Sequence, residues 1–378
     1  MRVIMTGISK GLPAMFLWIL TLLTGLAGLT AQADIPTPLT PENLADFQPV
    51  QTFSLSDLAP ENDRIETGWF TLSPDGAWLA APTRGGALML LNLNESTTSA
   101  LVVAPGASGF AWTVLDARFS PDSSAVVALL TDGVETTILS APVDDLESPV
   151  MIPVPTEVGA AVHVWFDSTQ PDDYVWVEAI PNPFDPAIGA HQVARFSLTD
   201  SEAAPLRLPS APENDMDAIV RIGRIPAPLA ITSTQSGTVR LWDLESGNLR
   251  AEVALPAPAV FGRVTETDGN YLVWRDANSQ ALNLLDFVTG ENRFIAELGG
   301  DYIQALLVTP DAEVILGVYR GDAPSVTAWL TADGAQVDLG VMWPECTRVP
   351  DMVQLSSEGS TLVIGCDAGF ELWRVSEN

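Results

Sequence analysis

The chain has 378 residues, 47% of them hydrophobic, with 48 acidic against 17 basic residues and a formal net charge of −31. That apolar fraction excludes a disordered chain and supports a large buried core. A surface this negative repels nucleic-acid phosphate and anionic lipid headgroups, so no nucleic-acid partner is expected.

Residues 1–33 read as a signal peptide. Arg2 and Lys10 form a positive start, an uncharged Leu-rich run follows from Gly11 to Thr30, and Ala31-Gln32-Ala33 is a small-x-small cleavage site. Cleavage after Ala33 is expected, giving an extracytoplasmic protein, secreted or associated with the cell envelope, with no further membrane insertion. An uncleaved anchor is the alternative, because the run is close to the length of a bilayer span. All 48 acidic residues but only 15 of the basic ones follow Ala33, so the mature formal charge is −33, and Lys10 is the sole lysine. Residues 34–46 (DIPTPLTPENLAD) read as a Pro-rich linker.

From Phe47 onward the chain repeats one unit. An apolar stretch leads into a Ser-Pro-Asp-Gly-like turn, then a second apolar stretch and a third. Clear copies are FTLSPDGAWLAA (Phe70 to Ala81), ARFSPDSSAVVALL (Ala117 to Leu130) and LVTPDAEVILGV (Leu307 to Val318). Third strands are expected at Leu88 to Leu93, Thr136 to Leu139, Val193 to Leu198, Val239 to Leu244, Leu282 to Phe287, Val326 to Leu330 and Phe370 to Val375. The last four start 43, 44 and 44 residues apart, the period of a four-stranded propeller blade. The final unit stops after its third strand, at FELWRV, while a strand-like VQTFSL (Val50 to Leu55) stands at the other end. The expected fold is therefore all-β: a single β-propeller over residues 47–378, with seven four-stranded blades and an N-terminal strand completing the last blade.

The best single copy of the third strand is Ser236-Gly-Thr-Val-Arg-Leu-Trp242-Asp243-Leu-Glu-Ser-Gly247. With its Trp-Asp pair and the Ser-Pro-Asp-Gly turns elsewhere, the chain resembles the WD-repeat β-propellers and their bacterial relatives. The pair decays to Trp373-Arg374, Trp329-Leu330 and Leu285-Asp286, and the family's Gly-His dipeptide is absent. Apolar packing must then replace the family's buried His-Asp hydrogen bonding in most blades. Such a fold hosts many functions, so the site has to be argued separately.

In propellers of this type the Ser-Pro-Asp-Gly turns face the bottom and the loops leading into each blade face the top. Three top-face loops carry aromatics suited to a protein or peptide partner: Phe184 and Asp185 in the long blade 3 loop, Trp343 and Arg348 before blade 7, and Phe110 and Trp112 before blade 2. The same aromatics would equally serve by folding back to cap the core. Both histidines, His163 and His191, fall in blade 3 with Glu178, a set that could make an open metal site for a metal-assisted hydrolase or lactonase-like enzyme. Two histidines in one blade also arise by chance. Arg118, Arg221 and Arg263 fall on innermost strands and are expected to pair with neighbouring carboxylates. The pentapeptide Ala-Pro-Glu-Asn-Asp at Ala59 and again at Ala211 reads as a reused solvated turn.

Cys346 and Cys366, the only cysteines, are expected to form one disulfide in the last repeat. There is no G-x-S-x-G, H-E-x-x-H, P-loop or dinucleotide fingerprint. The sequence therefore favours a non-catalytic extracytoplasmic binding platform that needs no cofactor. The metal-assisted enzyme and a structural envelope component remain the alternatives.

Overall fold

The computed structural model describes residues 36–58, 65, 69–101, 111–167, 169–180, 192–200, 206–207, 218–223, 229–233, 238–243, 246, 248–255, 259–261, 271–276, 278–298, 302–320, 325–341, 352–366 and 368–376. All belong to one unit, Pro36–Asn378. They form seven antiparallel four-stranded sheets, six of them simple meanders.

Blade 1 comprises Thr71–Leu72, Trp78–Pro82, Leu88–Asn92 and Thr97–Leu101, and blade 2 Thr113–Phe119, Ala125–Thr131, Thr136–Pro142 and Val150–Val154. Blade 3 runs through Ala160–Phe166, Tyr174–Ile180, Gln192–Ser197 and Leu206–Arg207, and blade 4 through Ala218–Gly223, Leu229–Ser233, Thr238–Asp243 and Asn248–Ala254. Ala259–Phe261, Tyr271–Asp276, Ala281–Asp286 and Asn292–Glu297 make blade 5, and Tyr302–Val308, Val314–Arg320, Ser325–Leu330 and Gln336–Val341 make blade 6. Blade 7 has only three strands from the C-terminal end, Met352–Leu355, Thr361–Gly365 and Gly369–Val375. Its outer strand is Phe47–Ser54, paired antiparallel to the third from Phe47 opposite Val375 to Ser54 opposite Gly369. The expected N-terminal completion of the last blade is thus observed, on a strand that starts three residues earlier than Val50.

Alternation along the strands explains how the sheets associate. The second strand of blade 2 is apolar and buried throughout its interior. Val126, Ala128 and Leu130 pack towards blade 1, whereas Val127 and Leu129 pack towards blade 3. Period-two geometry sends successive side chains to opposite faces, so a continuous apolar run serves two seams at once. Leu362 and Ile364 likewise face blade 6 while Val363 faces blade 1. Apolar clusters fill the seams 1–2, 2–3, 4–5, 5–6, 6–7 and 7–1. Each buried Val, Leu or Phe contributes about 1.5–3 kcal/mol, which makes the seams the main store of stability.

The first strands of blades 6, 7, 1, 2 and 3 approach one another in turn, as strands around a common axis do. Outer strands such as Thr97–Leu101 and Asn248–Ala254 are largely exposed.

The Ser-Pro-Asp-Gly turns are structural brackets, as their composition implied. Ser73 Oγ donates to Asp75 Oδ1 (2.6 Å), which also accepts the Ala77 amide (3.0 Å), while the Trp78 amide donates to Ser73 Oγ (2.8 Å). Ser120 with Asp122 and Thr309 with Asp311 repeat the bracket, each at 2.6 Å. One residue in each turn is left-handed: Gly76 (φ 70°), Ser123 (φ 63°), Ala312 (φ 58°) and Gly359 (φ 72°). The turns of adjacent blades also touch. The Asp75 amide donates to Ser123 Oγ (3.2 Å) and the Glu358 amide to the Pro74 carbonyl (3.2 Å).

One segment differs from the sequence reading. Within the Pro-rich 34–46 stretch, Leu39 and Leu44 are buried in the seam between blades 6 and 7, and the Leu39 amide donates to the Gly359 carbonyl (3.0 Å). Residues 36–46 are therefore a docked strap. The prolines signalled an extended chain, but two leucines in it find an apolar seam.

Gly76 offers a direct test of turn and seam together. A Cβ there would lie 2.3 Å from Thr361 Oγ1 of blade 7, on a backbone at positive φ. Gly76→Ala is expected to lower unfolding stability by about 2 kcal/mol or more, measured by urea titration. Gly133→Ala, also at positive φ but with nothing within 4 Å of the added Cβ, should change stability less.

Candidate functional site

The first strands of blades 2 and 3 each carry a bulge near their start, between Val114 and Asp116 and between Ala161 and His163. A bulge re-aims the side chain that follows it. Here it brings Asp116 and His163 together across the seam. Asp116 is buried, and its two oxygens are divided. Oδ1 lies 2.8 Å from Arg118 Nη1, while Oδ2 lies 3.3 Å from His163 Nδ1 and accepts the Val164 amide at 3.1 Å. A burial this deep is tolerable for a carboxylate because cationic and backbone donors surround it.

His163 sits directly opposite Glu178, itself buried, and its ring tilts against Trp165 with centroids 5.7 Å apart. The His163 side chain remains 48% exposed. The hydrogen bond to Asp116 raises its pKa above the ordinary 6.5. Burial and the Arg118 charge oppose that, and the charges of Asp116 and Glu178 add to it. With Nδ1 committed to Asp116, the imidazole is held in one orientation and can exchange a proton or a hydrogen bond at its other nitrogen.

Other sequence-derived candidates fare differently. His163 and Glu178 are brought together; His191 lies outside the described residues. Among the described residues no group of three or more His, Cys, Asp or Glu is arranged to hold a metal ion. Phe110, Phe184, Asp185, Trp343 and Arg348 lie outside the described residues, as do both copies of the repeated pentapeptide. Trp112 is 6% exposed and packs into the seam of blades 1 and 2. It is therefore a core aromatic, because the start of blade 2 turns its indole inward onto Leu88, Leu90 and their neighbours. Arg118 pairs with a carboxylate as expected, whereas Arg263 is outside the described residues. Arg221 follows a bulge of the same kind on the first strand of blade 4. Cys366 is buried, and Cys346 lies outside the described residues.

The sequence reading missed Asp116. Its signal was a lone carboxylate in the mostly buried strand TVLDARF, two residues before an arginine that can pair with it. Gln354 was missed as well. From the first strand of blade 7 its amide spans the closing seam, accepting the Leu72 amide (2.8 Å) and donating to the Phe70 carbonyl (2.7 Å). Arg374 reinforces that seam through the Gly76 carbonyl (2.6 Å) and Asn94 Oδ1 (2.8 Å).

Because the folded pKa of His163 is raised, its contribution to stability is fully present below about pH 6.5 and fades as pH rises through the raised value. NMR titration of the imidazole should give a midpoint above 6.5 in the native protein. Asp116→Asn should move it back towards 6.5. An unchanged midpoint in that variant would contradict the pairing.

No family model matches the chain, and no curated protein matches it. Solved structures do. The β-propeller domain of Cps50 (Swd1) from Myceliophteria thermophila superposes with a TM-score of 0.59 at 10% identity, covering 87% of this chain and 100% of that one. A chain of a mitotic checkpoint complex superposes at 0.57 with 12% identity, covering 87% and 92%. Identities this low speak to fold alone. Together with the seven four-stranded sheets formed by the described residues, they show the fold of a seven-bladed β-propeller.

Proposed function

We propose that the protein is a non-catalytic, extracytoplasmic propeller that holds a protein or peptide partner on its top-face loops. The carrying observation is the commitment of the strands. The second strands of blades 1, 2, 6 and 7 bury both faces in seams, so their side chains are spent on packing. Side chains left for recognition belong to the connecting loops and to the axial rim where His163 and Arg118 sit. One of the solved neighbours comes from a mitotic checkpoint complex, which accords with this fold serving in an assembly. Phe184, Asp185, Trp343, Arg348 and Phe110 are the proposed contact residues; Trp112 is withdrawn from that set.

The extracytoplasmic assignment rests on the residue 1–33 signal and its Ala-x-Ala site. A Cys346–Cys366 disulfide belongs to the same proposal, supported by the absence of a free thiol among the described residues. In the chain-entropy model a loop of that size stabilises by about 3 kcal/mol.

A second reading, a metal-assisted hydrolase, keeps one supporting observation: His163 and Glu178 are directly opposed in register. It requires that His191 complete the set. Replacing both histidines should then strip bound transition metal from the purified protein, and unchanged metal content would remove this reading.

The platform is tested by capture. Photoreactive residues at positions 184 and 343, on immobilised mature protein, should crosslink one specific partner from the extracytoplasmic fraction of the source cells. Amine-directed reagents are unsuitable because no lysine follows Lys10. Absence of any saturable partner at low and high salt would contradict the platform.

A further inference from the structure

Blade 3 closes the turn between its first two strands differently from other blades. The residue after the first strand is Ser73, Ser120, Thr309 or Ser356 in blades 1, 2, 6 and 7. Each hydroxyl accepts the amide that opens the second strand, at 2.8, 2.9, 3.1 and 3.1 Å. In blade 3 Asp167 takes that place with its side chain 0% exposed, and the Tyr174 amide turns to the Gln170 carbonyl (3.0 Å). Asp167 Oδ1 serves its own turn, accepting Thr169 Oγ1 (2.7 Å) and the amides of Thr169 (2.9 Å) and Gln170 (3.3 Å). Oδ2 lies 2.7 Å from Arg195 Nη2, a charge contact without the alignment of a hydrogen bond. Nη2 donates instead to Gln170 Oε1 (2.7 Å).

Arg195 stands directly opposite Trp176 on the neighbouring strand. Val175 and Val177 pack towards blade 2, so Tyr174, Trp176 and Arg195 share the other face of the sheet. There the guanidinium lies 3.9 Å over the Tyr174 ring and 5.7 Å from the centroid of Trp176, which is 1% exposed. Trp176 Nε1 and Arg195 Nε are both buried, and among the described residues nothing accepts a hydrogen bond from either. In the second strand of blade 5, by contrast, the buried Trp274 donates its Nε1 to Asn292 Oδ1 (3.0 Å). Buried polar groups in folded proteins are paired, and solvent pairs them where the chain does not.

We propose that blade 3 contains an internal water-binding site between Asp167, Trp176 and Arg195. One water accepts hydrogen bonds from Trp176 Nε1 and Arg195 Nε and donates one to Asp167 Oδ2. The chemistry of the three atoms selects water. An anion would stand beside the buried Asp167 carboxylate, whose charge already offsets the guanidinium. A cation would face two N–H donors. Water supplies the two lone pairs and the proton that the three atoms lack. Held there, it fixes Arg195 on the Tyr174 ring and stands in for the hydroxyl that brackets the turn in blades 1, 2, 6 and 7. This inference is independent of the top-face platform, since it concerns other residues.

The test is made on the purified full chain. A crystal structure that resolves solvent should show one density peak about 2.7–3.2 Å from both Trp176 Nε1 and Arg195 Nε. Crystals soaked in bromide should show no anomalous peak at that position. In solution, the Trp176 indole N–H resonance should give a cross-peak to water with the sign of a bound molecule. Its loss in Trp176→Phe identifies the resonance. If that variant does not fold, Arg195→Lys, which deletes the Nε–H and keeps the charge, should weaken the cross-peak instead. A protein acceptor on either N–H, a bromide peak at the site, or an indole N–H with no bound-water cross-peak would each overturn the proposal.

Discussion

The rest of the structure depends on a packing constraint: the second strands of blades 1, 2, 6 and 7 are apolar and buried on both faces, and neither face can be left in water. A sheet built this way needs a neighbour on each side. A linear stack would always leave two such faces bare, and a ring leaves none. Blade 7 must therefore meet blade 1, and several features converge there. Phe70 and Phe370 stack edge to face at 5.4 Å, Gln354 bonds the backbone of blade 1 in both directions, and Arg374 ties the third strand of blade 7 to the first and third turns of blade 1. The N-terminal strand completes the same blade, so closure joins the two ends of the chain within one sheet.

The same constraint separates scaffold from site. At the bottom, turns are stiffened by Ser/Thr–Asp brackets and by contacts between successive turns, which leaves their carboxylates occupied. Near the start of the inner strands of blades 2, 3, 4 and 6, bulges interrupt the ladder, and in blades 2 and 3 they aim polar side chains out of the apolar pattern. Asp116 and His163 follow two such bulges in consecutive blades. Their pairing arises from the repeat itself, which places equivalent positions side by side across a seam. Apolar packing builds the ring and the bulges admit charge to its inner wall.

How much of this was legible in the sequence follows from where each signal resides. All seven third strands fall within a few residues of their expected positions, because they are buried and carry strong apolar patterns. Outer strands such as Thr97–Leu101 were not legible, since exposed residues lack that pattern. The turns were legible from local chemistry alone. Cross-blade partners were not: Gln354 lies 284 residues from Phe70, and no periodicity announces that contact. Trp112 shows the limit for single residues. An aromatic on a loop serves equally well as a contact or as core, and only the direction of the chain at blade 2 decides. Leu39 and Leu44 were hidden by the prolines around them, whose composition reads as a linker.

Ring closure as the governing constraint implies that the blades are stable only together. Hydrogen exchange on Phe70→Ala, which empties the seam between blades 7 and 1, tests it most directly. If closure is the governing constraint, protection should fall by a similar factor in the middle strands of blade 7 and in Tyr174–Ile180 of blade 3. Protection lost only in blades 1 and 7, with Tyr174–Ile180 unchanged, would show that the blades are independently stable and would contradict the claim.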